Sequence, residues 1–416
     1  MSPGGGTTPL RIALLAYRGN PHSGGQGVYT HHLSRALRAL GHNVEVFAGQ
    51  PYPRLVAGIP LRMLPSLDLY RSEAPFRRQR PFRDAIDVAE FAIMCCAGYP
   101  EPLTFSLRAW RELRRRRHEF DLVHDNQSLG YGLLLLGPSL PVLATIHHPI
   151  VVDLRMELAG ATWQKRMALN RWYSFIRMQG RVARRLPRLI TVSRAARDGI
   201  VKDMRVRPER LAVVPNGVDA AAFRPLPQFD RIPGRLVATA SADVPLKGLV
   251  PLLHALARLR TRRQADLVVI GRPKPQSRVP ELIRRLGLEG AVRFVAGVEE
   301  SKLVEIYAQA QVAVVPSLYE GFSLPAVEAM ACAVPVVATT AGALPEVIGR
   351  HGETGIFVPP GDPEALAGAL ERALDDETLR RAIGDGGRAR VLEKFTWERA
   401  AEATAEQYRL LLAQAC

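Results

Sequence analysis

Short runs rich in β-branched residues and leucine alternate with stretches of helical periodicity from one end of the chain to the other. The alternation runs twice, with a proline-rich break between. Such a pattern builds βαβ units and parallel sheets. In the first half the strand candidates are Arg11–Ala16, Asn43–Phe47, Asp121–His124, Val142–Ile146, Leu189–Val192 and Leu211–Val214, with helical stretches such as Tyr29–Leu40 and Trp163–Arg185 between them. A Pro-Asn-Gly step and then Pro225, Pro227 and Pro233 follow, a stretch that sustains neither helix nor central strand. The alternation restarts with Arg235–Thr239, Asp266–Ile270, Val292–Val295, Val312–Val315, Val334–Ala338 and Gly355–Val358. The expected fold class is therefore α/β, with two doubly wound Rossmann-like domains. Residues 1–9 read as a flexible N-terminus, 10–217 as the first domain, 218–395 as the second, and 396–416 as a helix crossing back to the first. Ligands of open parallel sheets bind beyond the carboxyl ends of the strands, so a cleft between the two domains is the expected site.

A length of 416 residues suits two such domains, and 47% hydrophobic with 23% charged residues is the composition of a globular enzyme. Cys95, Cys96, Cys332 and Cys416 show no ligand or disulfide spacing, so they read as reduced, mostly buried thiols of a cytoplasmic protein. No signal peptide or membrane span is evident. The net charge of +16 is concentrated in the first half. Residues 1–200 hold 28 Lys and Arg against 14 Asp and Glu, and the remainder 28 against 26. That asymmetry fits an anionic partner for the first domain, and equally an Arg-favouring genome.

Chemistry concentrates at strand ends. Ser23-Gly24-Gly25-Gln26-Gly27 lies between the first strand and its helix, where glycines admit a ligand to the backbone and the helix N-terminus attracts anions. Such loops are also common for purely structural reasons. Thr145-Ile146-His147-His148-Pro149 places His147 just past a strand end. Lys247-Gly248 opens a helix and suits a phosphate. The densest pattern is Pro316-Ser317-Leu318-Tyr319-Glu320-Gly321-Phe322-Ser323-Leu324-Pro325-Ala326-Val327-Glu328. Glu320 falls in a strand-to-helix loop and Glu328 in the early turns of the helix, with the amides of Gly321, Phe322, Ser323 and Leu324 between them. Two carboxylates could accept sugar and ribose hydroxyls while the amides meet phosphates. The same residues could equally serve as a solvated loop and a carboxylate complementing the helix dipole.

Taken together, Gly24-Gly25, Thr145-Ile146-His147, Thr191-Val192-Ser193, Val213-Val214-Pro215-Asn216-Gly217-Val218-Asp219, Lys247-Gly248, the Glu320 and Glu328 pair, and Gly342-Ala343-Leu344-Pro345-Glu346 resemble family 4 retaining glycosyltransferases of the GT-B fold. That family includes bacterial phosphatidylinositol mannosyltransferases and sucrose-phosphate synthases. The resemblance runs from Arg11 to about Tyr408. It implies a hexosyltransferase that uses a nucleotide-diphosphate sugar, UDP- or GDP-linked, as co-substrate and needs neither cofactor nor metal. It also implies roles. Gly24 and Gly25 would lie near the donor phosphates and the acceptor, His147 near the reacting sugar, and Lys247 and Ser241 at the diphosphate. Glu320 and the amides of Gly321–Leu324 would hold the hexose, and Glu328 the ribose, making His147, Lys247 and Glu320 the catalytic group. Three departures stand out. Ser241 lies where the family has a second phosphate-clamping arginine nearby, Ser323 stands where it often has glycine, and Ala333 replaces the glycine before Val334-Pro335.

Arg108, Arg111 and Arg114–Arg117 crowd around Phe105, Trp110 and Leu113, and Trp163–Arg185 interleaves Trp163, Trp172 and Phe175 with lysine and arginine. Basic faces with interfacial aromatics suit an anionic membrane surface and a lipid or polyprenyl-linked glycan acceptor, hence peripheral association with the inner face of the membrane. A solvated arginine face over a core-facing stripe is the competing expectation. A GT-B nucleotide-sugar epimerase and an inactive nucleotide-sugar-binding or basic anion-binding protein stay open as alternatives. No nucleic-acid-binding pattern is present.

Overall fold

The computed structural model describes residues 8–20, 25–69, 81–239 and 244–414. Packing divides the chain into two units. One comprises the chain to Val192, Ala196–Val214 and Ala400–Cys416; the other comprises Ser193–Ala195 and Pro215–Arg399.

The first unit begins with β1 (Arg11–Ala16), α1 (Gly25–Ala39), β2 (Asn43–Ala48), β3 (Leu61–Met63), α2 (Ala85–Cys95), α3 (Glu101–Leu113) and β4 (Leu122–Asn126). It continues with α4 (Gly132–Leu136), β5 (Val142–Ile146), α5 (Val151–Leu158), α6 (Trp163–Trp172), α7 (Phe175–Ala183), β6 (Arg188–Thr191), α8 (Arg194–Met204) and β7 (Leu211–Val213). All its strand pairs are parallel, in the order β3-β2-β1-β4-β5-β6-β7. Strands covered on both faces need apolar residues at nearly every position. Ile12 to Ala16 are accordingly buried throughout.

The second unit holds β8 (Arg235–Thr239), α9 (Leu249–Arg260), β9 (Asp266–Ile270), α10 (Val279–Arg285), β10 (Val292–Val295), α11 (Glu300–Gln309) and β11 (Val312–Val315). Then come α12 (Leu324–Ala331), β12 (Val336–Thr339), α13 (Leu344–Ile348), β13 (Ile356–Val358), α14 (Pro363–Asp375) and α15 (Glu377–Lys394). Its sheet is also parallel, ordered β10-β9-β8-β11-β12-β13, the dinucleotide-fold order. The last helix, α16 (Trp397–Ala413), carries the chain back into the first unit. There Tyr408, fully buried, places its hydroxyl 2.6 Å from Nδ1 of His124 on β4. Side chains of aspartate mark several helix starts: Asp84 accepts from the amides of Ile86 and Asp87, Asp362 from Glu364 and Ala365, and Asp376 from Leu379.

Four expectations are corrected. The first sheet has a seventh strand, β3, a three-residue edge too short and exposed to carry a pattern. Trp163–Arg185 is two helices, because α6 buries no residue and apolar spacing begins only at Phe175, where α7 buries Phe175, Met178 and Val182. Cys95 and Cys96 are exposed, since the buried side of α2 is formed by Asp87, Glu90 and Met94; Cys332 is buried, and Cys416 lies outside the described residues. The arginines around α3 are mostly engaged inside the unit. Arg108 is buried against Asp87 at 2.7 Å and Glu90 at 2.5 Å, Arg111 pairs with Asp84, and Arg116 bridges Glu45 at 2.8 Å and Glu119 at 2.7 Å. Arg114 lies over the Trp110 ring. Burial alone would raise the Asp87 carboxyl, but hydrogen bonds from Arg83 and Arg108 hold it well below the ordinary carboxylate range. The partners of Arg108 and Arg111 sit on α2 and its N-cap, out of reach of any local pattern.

Helix α12 ends in a Schellman arrangement. The Val334 amide donates to the Ala329 carbonyl and the Ala333 amide to the Met330 carbonyl, with Ala333 left-handed at φ 53°. Glycine takes this position without steric penalty, whereas alanine does not. Ala333→Gly should therefore stabilise the second unit by about 1 kcal/mol, seen as a higher denaturant midpoint at unchanged slope. A lower midpoint would show that the methyl group packs better than it strains.

Candidate functional site

Strand order reverses between β8 and β11 in the second unit, and the loops leaving these two strands bring Lys247, Ser317 and Glu320 together. After β8 the chain reaches a short 3₁₀ turn, Pro245–Lys247, and then Gly248 at φ 66°, which starts α9. After β11 comes Pro316–Ser323. The two loops are pressed together. The Leu318 amide donates to the Leu246 carbonyl at 2.7 Å, and a Cβ on Gly248 would fall 1.8 Å from the Pro316 oxygen. On the other side, Gly342 at φ 56° lies so close that a Cβ there would come within 2.2 Å of the Glu320 carbonyl oxygen, which accepts from the Ala343 amide at 2.9 Å. Only glycine fits either position.

This confinement brings Lys247 Nζ to 2.8 Å from Glu320 Oε1, the same oxygen that accepts from the Ser317 hydroxyl at 2.8 Å. The Glu320 side chain is 8% exposed and that of Lys247 34%, so the pair is rooted in the protein with its ammonium partly open. Helix α12 begins four residues after Glu320, with Pro325 in its first turn. Glu328, half-buried on its second turn, receives a hydrogen bond from the Tyr307 hydroxyl at 3.2 Å, and that hydroxyl lies 3.3 Å from Thr239 Oγ1 at the end of β8. Burial pushes the Glu328 carboxyl up to about 7 against the opposing effect of the Tyr307 hydrogen bond, with Glu300 adding repulsion. Phe322 is buried with its ring edge-on to Phe395. Ser323 caps α12 in the left-handed region, at φ 87° and ψ 82°, which costs about 1–2 kcal/mol for an L-residue. Its hydroxyl is buried without a hydrogen-bond partner.

In the first unit the reversal falls between β1 and β4. Gly25 is the first residue of α1 and exposed. His147, just past β5, donates its amide to Gln127 Oε1 at 2.7 Å, and its Nε2 lies 2.7 Å from Asn126 Oδ1. Asn126 Nδ2 reaches the Gln26 carbonyl at 3.1 Å and Thr30 Oγ1 at 3.0 Å. A carbonyl only accepts, so the amide nitrogen of Asn126 must face Gln26 and its oxygen must face His147. His147 therefore carries its proton on Nε2. Burial pushes His147 down to about 4, so the ring is neutral near pH 7, and it packs edge-on to Tyr29 at 4.5 Å between centroids. A second buried chain runs beside it: the Tyr29 hydroxyl is 3.0 Å from Thr145 Oγ1, which is 2.7 Å from His124 Nε2.

The structure thus pairs Lys247 with Glu320, places Glu328 on the helix that follows in the same unit, and sets His147 in the other unit. Gly24 and Ser241 lie outside the described residues. Asn126, Gln127 and Tyr307 escaped sequence reasoning. Asn126 and Gln127 belong to four successive polar residues, Asp125–Ser128, buried at a parallel strand's end, which was a usable signal. Tyr307 reads like any core aromatic of α11. Among the described residues no cluster of three His, Cys, Asp or Glu side chains could hold a metal, and no helix is long and apolar enough to cross a membrane.

Comparison with known proteins agrees with this arrangement. Residues 233–390 match the family described as Glycosyl transferases group 1, and residues 23–222 match Glycosyltransferase Family 4. An MMP alpha-(1→4)-mannosyltransferase of Mycolicibacterium hassiacum is 49% identical over 97% of this chain and 99% of its own. A D-inositol 3-phosphate glycosyltransferase of Streptomyces bingchenggensis is 29% identical over 97% of this chain and 90% of its own. Among solved structures, sucrose-phosphate synthase from Thermosynechococcus elongatus superposes with a TM-score of 0.72 at 25% identity, over 97% of this chain and 100% of that one. Two parallel dinucleotide-type sheets, a glutamate pair flanking a helix start, and a near full-length relative at this identity make the chain a member of glycosyltransferase family 4, with the GT-B fold.

Proposed function

We propose that the chain is a retaining, metal-independent α-mannosyltransferase that moves a mannosyl unit from a nucleoside diphosphate, GDP or UDP, to the 4-hydroxyl of a glycan. The Lys247–Glu320 pair at the β8/β11 reversal is the observation that carries this reading, because it sets a cation and a hydroxyl-accepting carboxylate within 2.8 Å of each other. The linkage and sugar follow the 49% identical relative. In the proposed reaction Lys247 exchanges its bond to Glu320 for a phosphate oxygen, and Glu320 turns to the hydroxyls of the hexose. Charge grows on the β-phosphate as the glycosidic bond breaks, and Lys247 with the free amides of α12 stabilises it. The acceptor hydroxyl approaches from the same face and passes its proton to the departing phosphate. His147, neutral and protonated on Nε2, offers a sugar hydroxyl the lone pair of Nδ1 rather than a charge.

Incubating the protein with GDP-mannose, UDP-mannose, UDP-glucose and ADP-glucose, with short mannosides as acceptors, tests the reading. The expected product is an α-(1→4)-linked mannoside by NMR; a β-linked product, or transfer of glucose alone, would overturn it. Lys247→Ala should lower kcat/KM by about 10²–10³-fold, the range for loss of one charge-stabilising donor, while circular dichroism stays unchanged. Unaltered turnover would remove Lys247 from the chemistry.

The Glu328 carboxyl gives a pH signature. It titrates near 7 in the free protein, and only the ionised form accepts both ribose hydroxyls, so donor binding favours deprotonation. The diphosphate of a nucleotide sugar keeps constant charge over this range. Donor affinity should therefore fall about tenfold per pH unit below 7 and level off above 8, and Glu328→Gln should flatten the profile in calorimetric titrations. A flat wild-type profile would contradict the ribose assignment.

An anionic membrane surface as partner now rests on α6, which buries no residue and exposes Trp163 beside Lys165 and Arg166. Trp163→Ser should reduce co-flotation with phosphatidylglycerol vesicles; absence of wild-type flotation at moderate salt would leave a water-dissolved glycan as the acceptor.

A further inference from the structure

We infer that the side-chain hydroxyl of Ser323 binds the donor, giving a hydrogen bond to a phosphate oxygen of the nucleotide sugar. The inference rests on the nucleotide-sugar reading above and names a group that reading does not use.

Two unfavourable features meet at this one residue. Its backbone sits at φ 87° and ψ 82°, where L-residues are strained, and its hydroxyl is enclosed with no hydrogen-bond partner. A serine ahead of a helix ordinarily satisfies itself by accepting from the second or third amide of the helix. Here the second helical residue is Pro325, which has no N–H, and no side-chain cap bond forms. Glycine at this position would relieve both the strain and the orphaned hydroxyl. Conformations and buried groups of this kind persist where a ligand completes them.

The surroundings say which ligand group that is. Ser323 stands at the N-terminus of the eight-residue helix α12, whose free amides and dipole favour an anion. From Thr239 to Lys247 the chain offers a single cation, Lys247, and this is already paired with Glu320 at 2.8 Å. A diphosphate meeting this site needs further donors. A serine hydroxyl beside the helix amides supplies one, at the positive end of the helix dipole, which favours an anionic phosphate oxygen over a neutral sugar hydroxyl.

The test compares wild type, Ser323→Gly and Ser323→Ala by thermal unfolding without ligand, and by calorimetric titration with GDP, UDP, their mannose or glucose conjugates, and the bare nucleosides. Ser323→Gly is expected to unfold at higher temperature than wild type, and so to fold. Both variants should bind the preferred diphosphate at least about tenfold more weakly, with nucleoside affinity unchanged. Variants that bind the diphosphate as tightly as wild type would overturn the inference alone. A loss seen only with the sugar conjugate would also overturn it, by moving the contact from phosphate to sugar. Wild-type protein that bound none of these nucleotides would overturn the functional reading and this inference with it.

Discussion

The polar cluster at the ends of β8 and β11 depends on the ion pair between Lys247 and Glu320, and that pair depends on two backbone approaches that tolerate no side chain. Gly248 lets the β8 loop lie on Pro316, and Gly342 lets the loop after β12 lie on Glu320. Between them the carboxylate has little freedom, held also by the Ser317 hydroxyl. A buried carboxylate without a cation is strongly disfavoured, and a lone ammonium here would drift to water. Each holds the other in place until a ligand divides them. The cluster is thus organised before any ligand arrives, which is where electrostatic stabilisation gains its strength.

The first unit follows the opposite strategy. Its polar centre contains no ion pair at His147 or His124. Burial holds both rings neutral, at about 4 and about 3, and hydrogen bonds to Asn126, Thr145 and Tyr408 orient them. A neutral, tautomer-fixed imidazole discriminates by the direction of its hydrogen bonds and not by charge.

The sheets were largely legible because strands covered on both faces read as apolar runs; β1, β5, β8, β9 and β11 fall where the pattern places them, and so does the edge strand β10, by its β-branched and aromatic residues. β3 was not, since three edge residues, none of them buried, carry no period. Within the site, Glu320 and Glu328 stand out by their spacing around a helix start. Their partners do not. Lys247 lies 73 residues from Glu320, and Tyr307 reaches Glu328 only because α11 and α12 flank the same strand. The arginines near α3 misled for a related reason: charge in one dimension says nothing of Asp84, Asp87 and Glu90 folding back to meet it. Ser323 and Ala333 are single-residue departures in sequence, and both occupy left-handed backbone. Dihedral angles are invisible until the turn around them is known.

The bond between His124 and Tyr408 joins residues 284 positions apart, and every strand of the second sheet lies between them. In chain order the second unit is an insertion within the first. On the ribosome the second unit has its full sheet in hand while the first still lacks the helix that buries Ala401, Ala405, Tyr408 and Leu411. The half of the protein made first is consequently the half completed last. Its parallel sheet must wait, partly uncovered, for the final stretch of chain, and this is the interval in which a nascent α/β protein is most exposed to aggregation.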